Sequence, residues 1–304
     1  MLYRMYKFRF DTPVRFGSGA ATDSQMAFHA DTLFSALYLA CMETRKENVL
    51  LSLAQEGAIR FSDAFPYHKE KLYIPRPVGL YPSRIQSAID ASTRKVLKRI
   101  VWIPWNSLSD WLAGKVLPQN LIVQFGVPEE KVRVNRREQP PTPYTIESFR
   151  FFDGCGLYVI VAAKNDDALS FLDDAMQLLS TSGIGGSASS GFGHFTLTSM
   201  QIAEDMEKAL MDYHAPWQVL LNVAFPSEEE ADVMDEARYM LIRRGGFTAG
   251  RQERPVKKQT AWLIAPGSIF RKRFDGMIED VSITLSPHPV WRYEKAIMMG
   301  VNAE

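Results

Sequence analysis

Along residues 6–16, YKFRFDTPVRF, apolar and polar side chains alternate, and the run ends in a glycine-containing turn at Gly17 and Gly19. Alternation of this kind, bounded by glycine, predicts a strand. Leu33, Phe34, Leu37, Tyr38 and Cys41 then recur at helical spacing, which predicts a helix with Asp31 as its N-cap. AIRFSDAFPY (58–67) and KLYIPRPVGL (71–80) are short predicted strands broken by proline. No single period runs through 84–130, which holds a predicted basic helix at 93–100 and the Trp-rich stretch VWIPWNSLSDW (101–111). KVRVNRRE (131–138) and SFRFFDGCGLYVIVAA (148–163) are predicted to pair, with QPPTPY (139–144) as the tip of a projecting hairpin, because proline is excluded from a central strand. DDALSFLDDAMQLLST (166–181) puts Leu169, Leu172, Ala175, Met176 and Leu179 on one helical face, and GHFTLTSMQIA (193–203) is a predicted strand.

The resulting order is β–α–β–insertion–β–α–β, that of a ferredoxin-like, RRM-type unit. A boundary is expected within 206–216. Beyond it, WQVLLNVAFP (217–226) is a predicted buried strand, and Ser227 with Glu230 carries the signature of a capping box. The helix it would open points Ala231, Met234, Ala237 and Leu241 inward and ends near Gly245-Gly246. Strands are predicted within 257–270, 277–285 and 289–301. The pattern therefore predicts an α+β protein of two ferredoxin-like domains, 1–205 and 206–304, the first with an insertion at about 76–147.

Composition narrows the function classes. The 304 residues include 46% apolar and 23% charged side chains, with 35 Lys+Arg against 35 Asp+Glu. A net charge of zero argues against a uniformly basic coat but not against a local basic groove. Cys41 and Cys155 are too few for a disulfide framework, and none of the histidines has zinc-ligand spacing, so no metal or cofactor is expected. The N-terminal stretch MLYRMYKFRF is interrupted by Arg and Lys, and the longest apolar runs are too short to span a bilayer, which together predict a cytoplasmic, non-membrane protein.

The most informative stretch is GIGGSASSGFGHF (183–195), in which Gly183, Gly185, Gly186, Gly191 and Gly193 are interleaved with Ser187, Ser189 and Ser190. Glycine lets a backbone approach a phosphate or sugar closely. The stretch follows a helix and precedes a strand, the reverse of a dinucleotide fingerprint, and no Gly-Lys-Ser/Thr follows. Ligand contact, above all with a polynucleotide backbone, is the reading adopted over a merely flexible loop. Basic residues are segregated into Arg84–Arg99, Arg133–Arg137 and Arg238–Lys258, with aromatic residues among them, a combination suited to single-stranded RNA. His29, just before the predicted helix, is a general-base candidate for RNA cleavage or a simple hydrogen-bonding residue.

FDTPVRFGSG (10–19), ADTLFSAL (30–37) and the glycine-rich stretch resemble the corresponding parts of RAMP-superfamily CRISPR proteins. With FRFFDGCGLYVIV (149–161) and HPVWRYEKAIMMGV (288–301), the resemblance extends from about residue 6 to 301 and is to the fourth subunit of type III-A (Csm) effector complexes. It implies a non-catalytic RNA-binding subunit in antiviral defence. Such a subunit grips the 5′ handle of crRNA and joins the large polymerase/nuclease-type subunit to the backbone RAMP filament. The hairpin would be a thumb, with Arg133, Asn135, Arg136, Arg137 and Tyr144 at the start of the guide and near target RNA. Gly185, Gly186, Ser187, Ser189, Ser190, Gly191 and Phe192 would cradle the handle, with Phe16, Gly17, Ser18 and His29 close by. Arg243, Arg244, Phe247 and Arg251 would add phosphate and base contacts. Two rivals remain: an endoribonuclease that trims precursor crRNA with His29 as base, and an adaptor whose loop touches only protein.

Overall fold

Strand β10 (Cys155–Ala163) is buried at all nine positions, so it must have apolar material on both faces. Alternation sends Leu157, Val159 and Val161 into one core and Tyr158, Ile160 and Ala162 into a second core on the opposite face. The computed structural model describes residues 1–17, 24–80, 95–97, 99–116, 118–135, 140–246, 258–282 and 289–303.

β10 is flanked by β1 (Leu2–Phe10) on one side and by β4 (Ile59–Phe61) and β5 (Phe65–His68) on the other, all antiparallel to it. β11 (Phe195–Met200) pairs with the free edge of β1. β6 (Lys71–Pro75) and β7 (Trp102–Pro104) extend the sheet beyond β5, giving the order β11-β1-β10-β5-β6-β7. Short strands β2 (Phe16–Gly17) and β3 (Ser24–Gln25) pair beside it.

One face of the sheet is covered by helices α1 (Ala30–Glu43), α2 (Glu47–Gln55) and, after the five-residue α3 (Leu108–Leu112) of the insertion, α4 (Asp166–Ser182). α4 buries Leu169, Leu172, Ala175, Met176 and Leu179, the predicted face, and the Asn165 side chain caps it by accepting from the Ala168 amide at 2.9 Å. The opposite face is covered by the second unit. There β12 (Trp217–Leu220) lies between β15 (Ile269–Phe270) and β18 (Met298–Val301), with hairpin β13–β14 (Leu241–Arg244, Ala261–Ile264) and pair β16–β17 (Ile278–Asp280, Trp291–Tyr293) alongside. Val219, Met299 and Val301 pack with Met5, Tyr158 and Ile160 of the first sheet. Each such side chain contributes about 1.5–3 kcal/mol on burial, so this junction is held as firmly as a domain interior. The expected boundary segment carries α5 (Glu204–Met211), whose Met206 and Leu210 enter the same core.

The hairpin is β8 (Gly126–Asn135) with β9 (Thr142–Phe151), a separate two-stranded ladder. Its base is anchored by the buried Ile146 and Phe151 and by paired backbone bonds between Val14 and Phe149. Its outer half is solvated, with Val132 71% exposed.

Four local expectations are corrected. Within the expected pair, Lys131–Asn135 face Thr142–Ile146 of β9 and not the 148–163 run: a turn at Asp153-Gly154 breaks that run, and β10 joins the main sheet. The capping box at Ser227 and Glu230 is present but opens only a 3₁₀ segment, Glu228–Met234. Residues 241–244 are drawn out of the expected helix by pairing with β14, leaving Leu241 exposed instead of inward. Asp31 is not the N-cap of α1: the cap position is His29, and Asp31 lies in the first turn.

Candidate nucleic-acid interface

A cleft of about 340 Å³ opens where the start of α1, the glycine-rich loop and the β13 end of the second unit meet. Six of the residues singled out in sequence line it: Phe16, Gly17, His29, Gly185, Gly186 and Arg244. Arg15, Lys258 and Arg292 contribute further cationic groups, and Trp291 an aromatic wall.

The start of α1 is held by a buried residue from the β4–β5 turn. Asp63 Oδ1 accepts from the Ala30 amide at 2.8 Å and from the Val223 amide of the second unit at 3.0 Å, and its Oδ2 lies 2.5 Å from His29 Nδ1. Asp63 thus does the capping that His29, which makes no side-chain cap bond, does not.

Asp31 has a different partner. Arg244 donates to it through both Nε (2.9 Å) and Nη2 (2.7 Å), and Nη2 also donates to Thr32 Oγ1 at 3.0 Å. Burial alone would raise the Asp31 carboxyl. The Arg244 charge and hydrogen bonds, helped by His29 and Lys258, outweigh it and hold the group below the usual carboxylate range. Arg244 is correspondingly raised, its burial outweighed by Asp31. The guanidinium ties β13 to α1 through Nε and Nη2. Burial pushes Lys258 down, Asp31 opposes this, and Arg244 and Arg292 add to it.

The glycine-rich loop is largely explained by the fold itself. A Cβ on Gly193 would sit 2.0 Å from the Ile184 carbonyl oxygen, and one on Gly185 would sit 2.8 Å from the Arg15 carbonyl oxygen and 3.0 Å from the Phe16 ring. Gly183, at φ +77°, is tight against Gly193. Three of the glycines are thus required by protein contacts, without any ligand. Gly186 and Gly191 are different: a Cβ on Gly186 would make only ordinary contacts with Arg15, and Gly191 faces open space.

The expected use of loop amides is also revised. The Gly186 amide donates to Arg15 O at 2.8 Å and the Ser190 amide to Ser187 O at 2.8 Å, so neither is available to RNA. The amides of Gly185 and Ser189 have no acceptor among the described residues, and Gly185, Gly186, Ser189, Ser190 and Gly191 are exposed.

The hairpin touches the loop rather than the cleft. Lys131 Nζ and Arg133 lie over the Phe192 ring, 5.1 and 5.5 Å from its centroid, and that ring is buried beneath them instead of offering a face to a base. Arg133 stands directly opposite the exposed Tyr144, and Asn135 ends the ladder opposite Thr142. Ser187, with left-handed backbone at φ +65°, accepts from Arg15 Nη1 at 3.5 Å. Arg243 points away from the cleft, paired across the strands with Trp262, which is 58% exposed. Ser18, Arg136, Arg137, Phe247 and Arg251 lie outside the described residues. Among the described residues no group of His, Cys, Asp and Glu is placed to hold a metal ion, and no helix is long and apolar enough to cross a membrane.

Sequence reasoning missed Asp63, Arg15 and Arg292. Asp63 had a readable signal: one acid inside the apolar run IRFSDAFPY, where an unpaired charge would be costly.

Residues 7–196 match the family model of the RAMP superfamily. The chain belongs to the RAMP superfamily. Residues 213–301 match the model of the CRISPR Csm4 C-terminal domain, so the second unit has its own counterpart in this group. Among similar proteins, "CRISPR system Cms protein Csm4" of Streptococcus thermophilus is 29% identical over 305 residues, covering 98% of each chain. The Csm4 protein of Mycobacterium tuberculosis (strain H37Rv) is 26% identical over 306 residues, covering 98% of this chain and 97% of its own. In fold, this RAMP chain is similar to one in the crystal structure of a Csm3–Csm4 subcomplex of the type III-A interference complex, with TM-score 0.68, 16% identity and coverage of 99% and 100%. It is also similar to one in a Csm1–Csm4 cassette bound to pppApA, with TM-score 0.65, 20% identity and coverage of 99% and 98%.

Proposed function

We propose that this chain is the non-catalytic subunit of a type III-A CRISPR effector complex that grips the 5′ handle of crRNA. It would join the large polymerase/nuclease-type subunit to the backbone RAMP filament. One observation carries the reading: residues distant in sequence, Phe16, His29, Gly186 and Arg244, converge on a single cleft beside an exposed basic hairpin. The names of the relatives support the system, and their solved complexes with Csm1 and Csm3 support the two protein partners. The β11-β1-β10-β5 order with α1 and α4 on one face supports a ferredoxin-like first unit, and the second unit is read as a degenerate copy.

In this reading a single strand lies across the cleft mouth, with its phosphates on the Gly185 and Ser189 amides and its bases splayed for edge contacts. The β8–β9 hairpin is the thumb, and Lys131, Arg133 and Tyr144 face the strand at the start of the guide, where target RNA pairs. No cofactor is required. The test is UV crosslinking in the assembled complex. Crosslinks from the handle to 15–17, 29–32 or 183–192 support the reading, and crosslinks confined to protein partners would replace it with an adaptor role.

One observation favours a second reading. His29 backed by Asp63 has the arrangement of a general base, as an endoribonuclease acting on precursor crRNA would need. Repeat RNA incubated with the purified chain in EDTA separates the two: intact RNA supports the binding role, and cleavage abolished by His29→Ala supports the enzyme.

A further inference from the structure

Asp63 is 2% exposed, and three of its contacts are resolved: two backbone amides on Oδ1 and the His29 ring on Oδ2. A carboxylate engaged by two amides is an acceptor, so the ring must donate to it from Nδ1. In the neutral ring the lone pair then lies on Nε2, the nitrogen left for whatever occupies the cleft that His29 lines. A phosphate oxygen is itself an acceptor and gains nothing from such a nitrogen. A hydroxyl does, and the hydroxyl that separates RNA from DNA is the ribose 2′-OH.

We infer that His29 is a specificity-determining residue, held by the positioning residue Asp63 so that Nε2 accepts a hydrogen bond from a ribose 2′-hydroxyl. The inference rests on the cleft being an RNA site and adds the chemical group read there. It also gives Asp63 a reason to be buried. The same carboxylate ties the α1 start to Val223 of the second unit, so the ring and both cleft walls keep one geometry.

The two neutral tautomers make this testable. In Asp63→Asn the amide oxygen can still accept from Ala30 and Val223, but its NH2 group then faces His29 Nδ1 and moves the ring proton to Nε2. The probes are a fluorescein-labelled single-stranded repeat RNA and its all-2′-deoxy counterpart, titrated against the full chain by anisotropy, with ¹⁵N NMR reporting the His29 tautomer. The wild type is expected to carry its ring proton on Nδ1 and to prefer RNA by about tenfold, the loss expected when one hydrogen bond goes unmade. In Asp63→Asn the proton is expected on Nε2, and the preference should fall to within about twofold with DNA affinity unchanged. His29→Phe should lose the preference equally, and it serves as the test should Asp63→Asn not fold.

A wild-type ring protonated on Nε2 overturns the inference. So does a preference that survives either substitution, or one that follows the base and not the sugar. Binding of RNA and DNA alike removes this inference and leaves the handle-binding role standing; binding of neither removes both.

Discussion

Arg244 and Arg133 come from equally basic stretches of sequence, and the fold uses them in opposite ways. Arg244 is nearly enclosed, with Nε and Nη2 held by Asp31 and Thr32, so it serves to join the two units. Arg133 stands on a solvated ladder and leans on the Phe192 ring, with its charge open to a polyanion. The cleft is therefore a place of fixed geometry, in which one arginine is already answered by Asp31, suited to discrimination. The hairpin is a place of reach and uncompensated charge, suited to attraction. A cluster of arginines in sequence does not distinguish these roles, because the distinction lies in whether an acid from another element meets the guanidinium.

The contrast breaks most visibly in stability. Asp31→Ala strands a buried guanidinium and is expected to cost about 3 kcal/mol in denaturant unfolding, whereas Arg133→Ala should stay within about 0.5 kcal/mol. Equal effects would mean that Arg244 is no strut. Next come the glycines. Gly193→Ala, with its Cβ against the Ile184 carbonyl, should cost about 2 kcal/mol or more, and Gly191→Val about 1–2 kcal/mol for its left-handed backbone. Gly186→Val should leave thermal unfolding nearly unchanged yet weaken crRNA retention; unchanged retention would remove the loop from the RNA path.

A comparable effect is pH-dependent. Burial pushes the Glu294 carboxyl, behind the cleft wall, up to about 7, opposed by Arg292 and assisted by Glu279 and Asp31. The folded chain then keeps a proton that the unfolded chain has released, so stability falls as pH rises from the ordinary carboxylate range through about 7. Glu294→Gln should remove that decline and gain about 2 kcal/mol at pH 8 relative to pH 5. A parallel pH profile in the variant would refute it. Asp31, depressed by Arg244, acts in the opposite sense, its contribution being lost only as the solution becomes acid. The smallest effect sharpens the hairpin side: Lys131→Ala or Arg133→Ala should reduce the salt slope of RNA binding by about 0.7 each, and Arg244→Ala should leave it unchanged.

Much of the first unit was legible because its periods are long and clean. α4 follows from a single run whose buried face is the predicted one, whereas β10 is the second half of a longer predicted strand that Asp153-Gly154 divides. The 227–245 stretch misled because its spacing suits a helix, while β14, far along the chain, supplies a better partner for Leu241–Arg244 than a continued helical face would. The cleft was half legible. Phe16, His29 and the loop carried a family signal, but Asp63 and Arg292 owe their place to contacts between units, which no local pattern encodes. The glycines were read as marking close approach of a ligand; for Gly183, Gly185 and Gly193 what approaches is this chain's own backbone or side chains.

The second core has a consequence for synthesis. β1 has no neighbour until residues 155–163 and 195–200 emerge from the ribosome, and the outer face of that sheet lacks most of its cover until α5 and residues 217–301 follow. The nascent chain carries Met5 and Phe65, and later Tyr158 and Ile160, without that cover until the second unit is made, a surface a chaperone would recognise. Separating the chain after 205 would make that transient state permanent, so the practical unit for expression is the whole polypeptide.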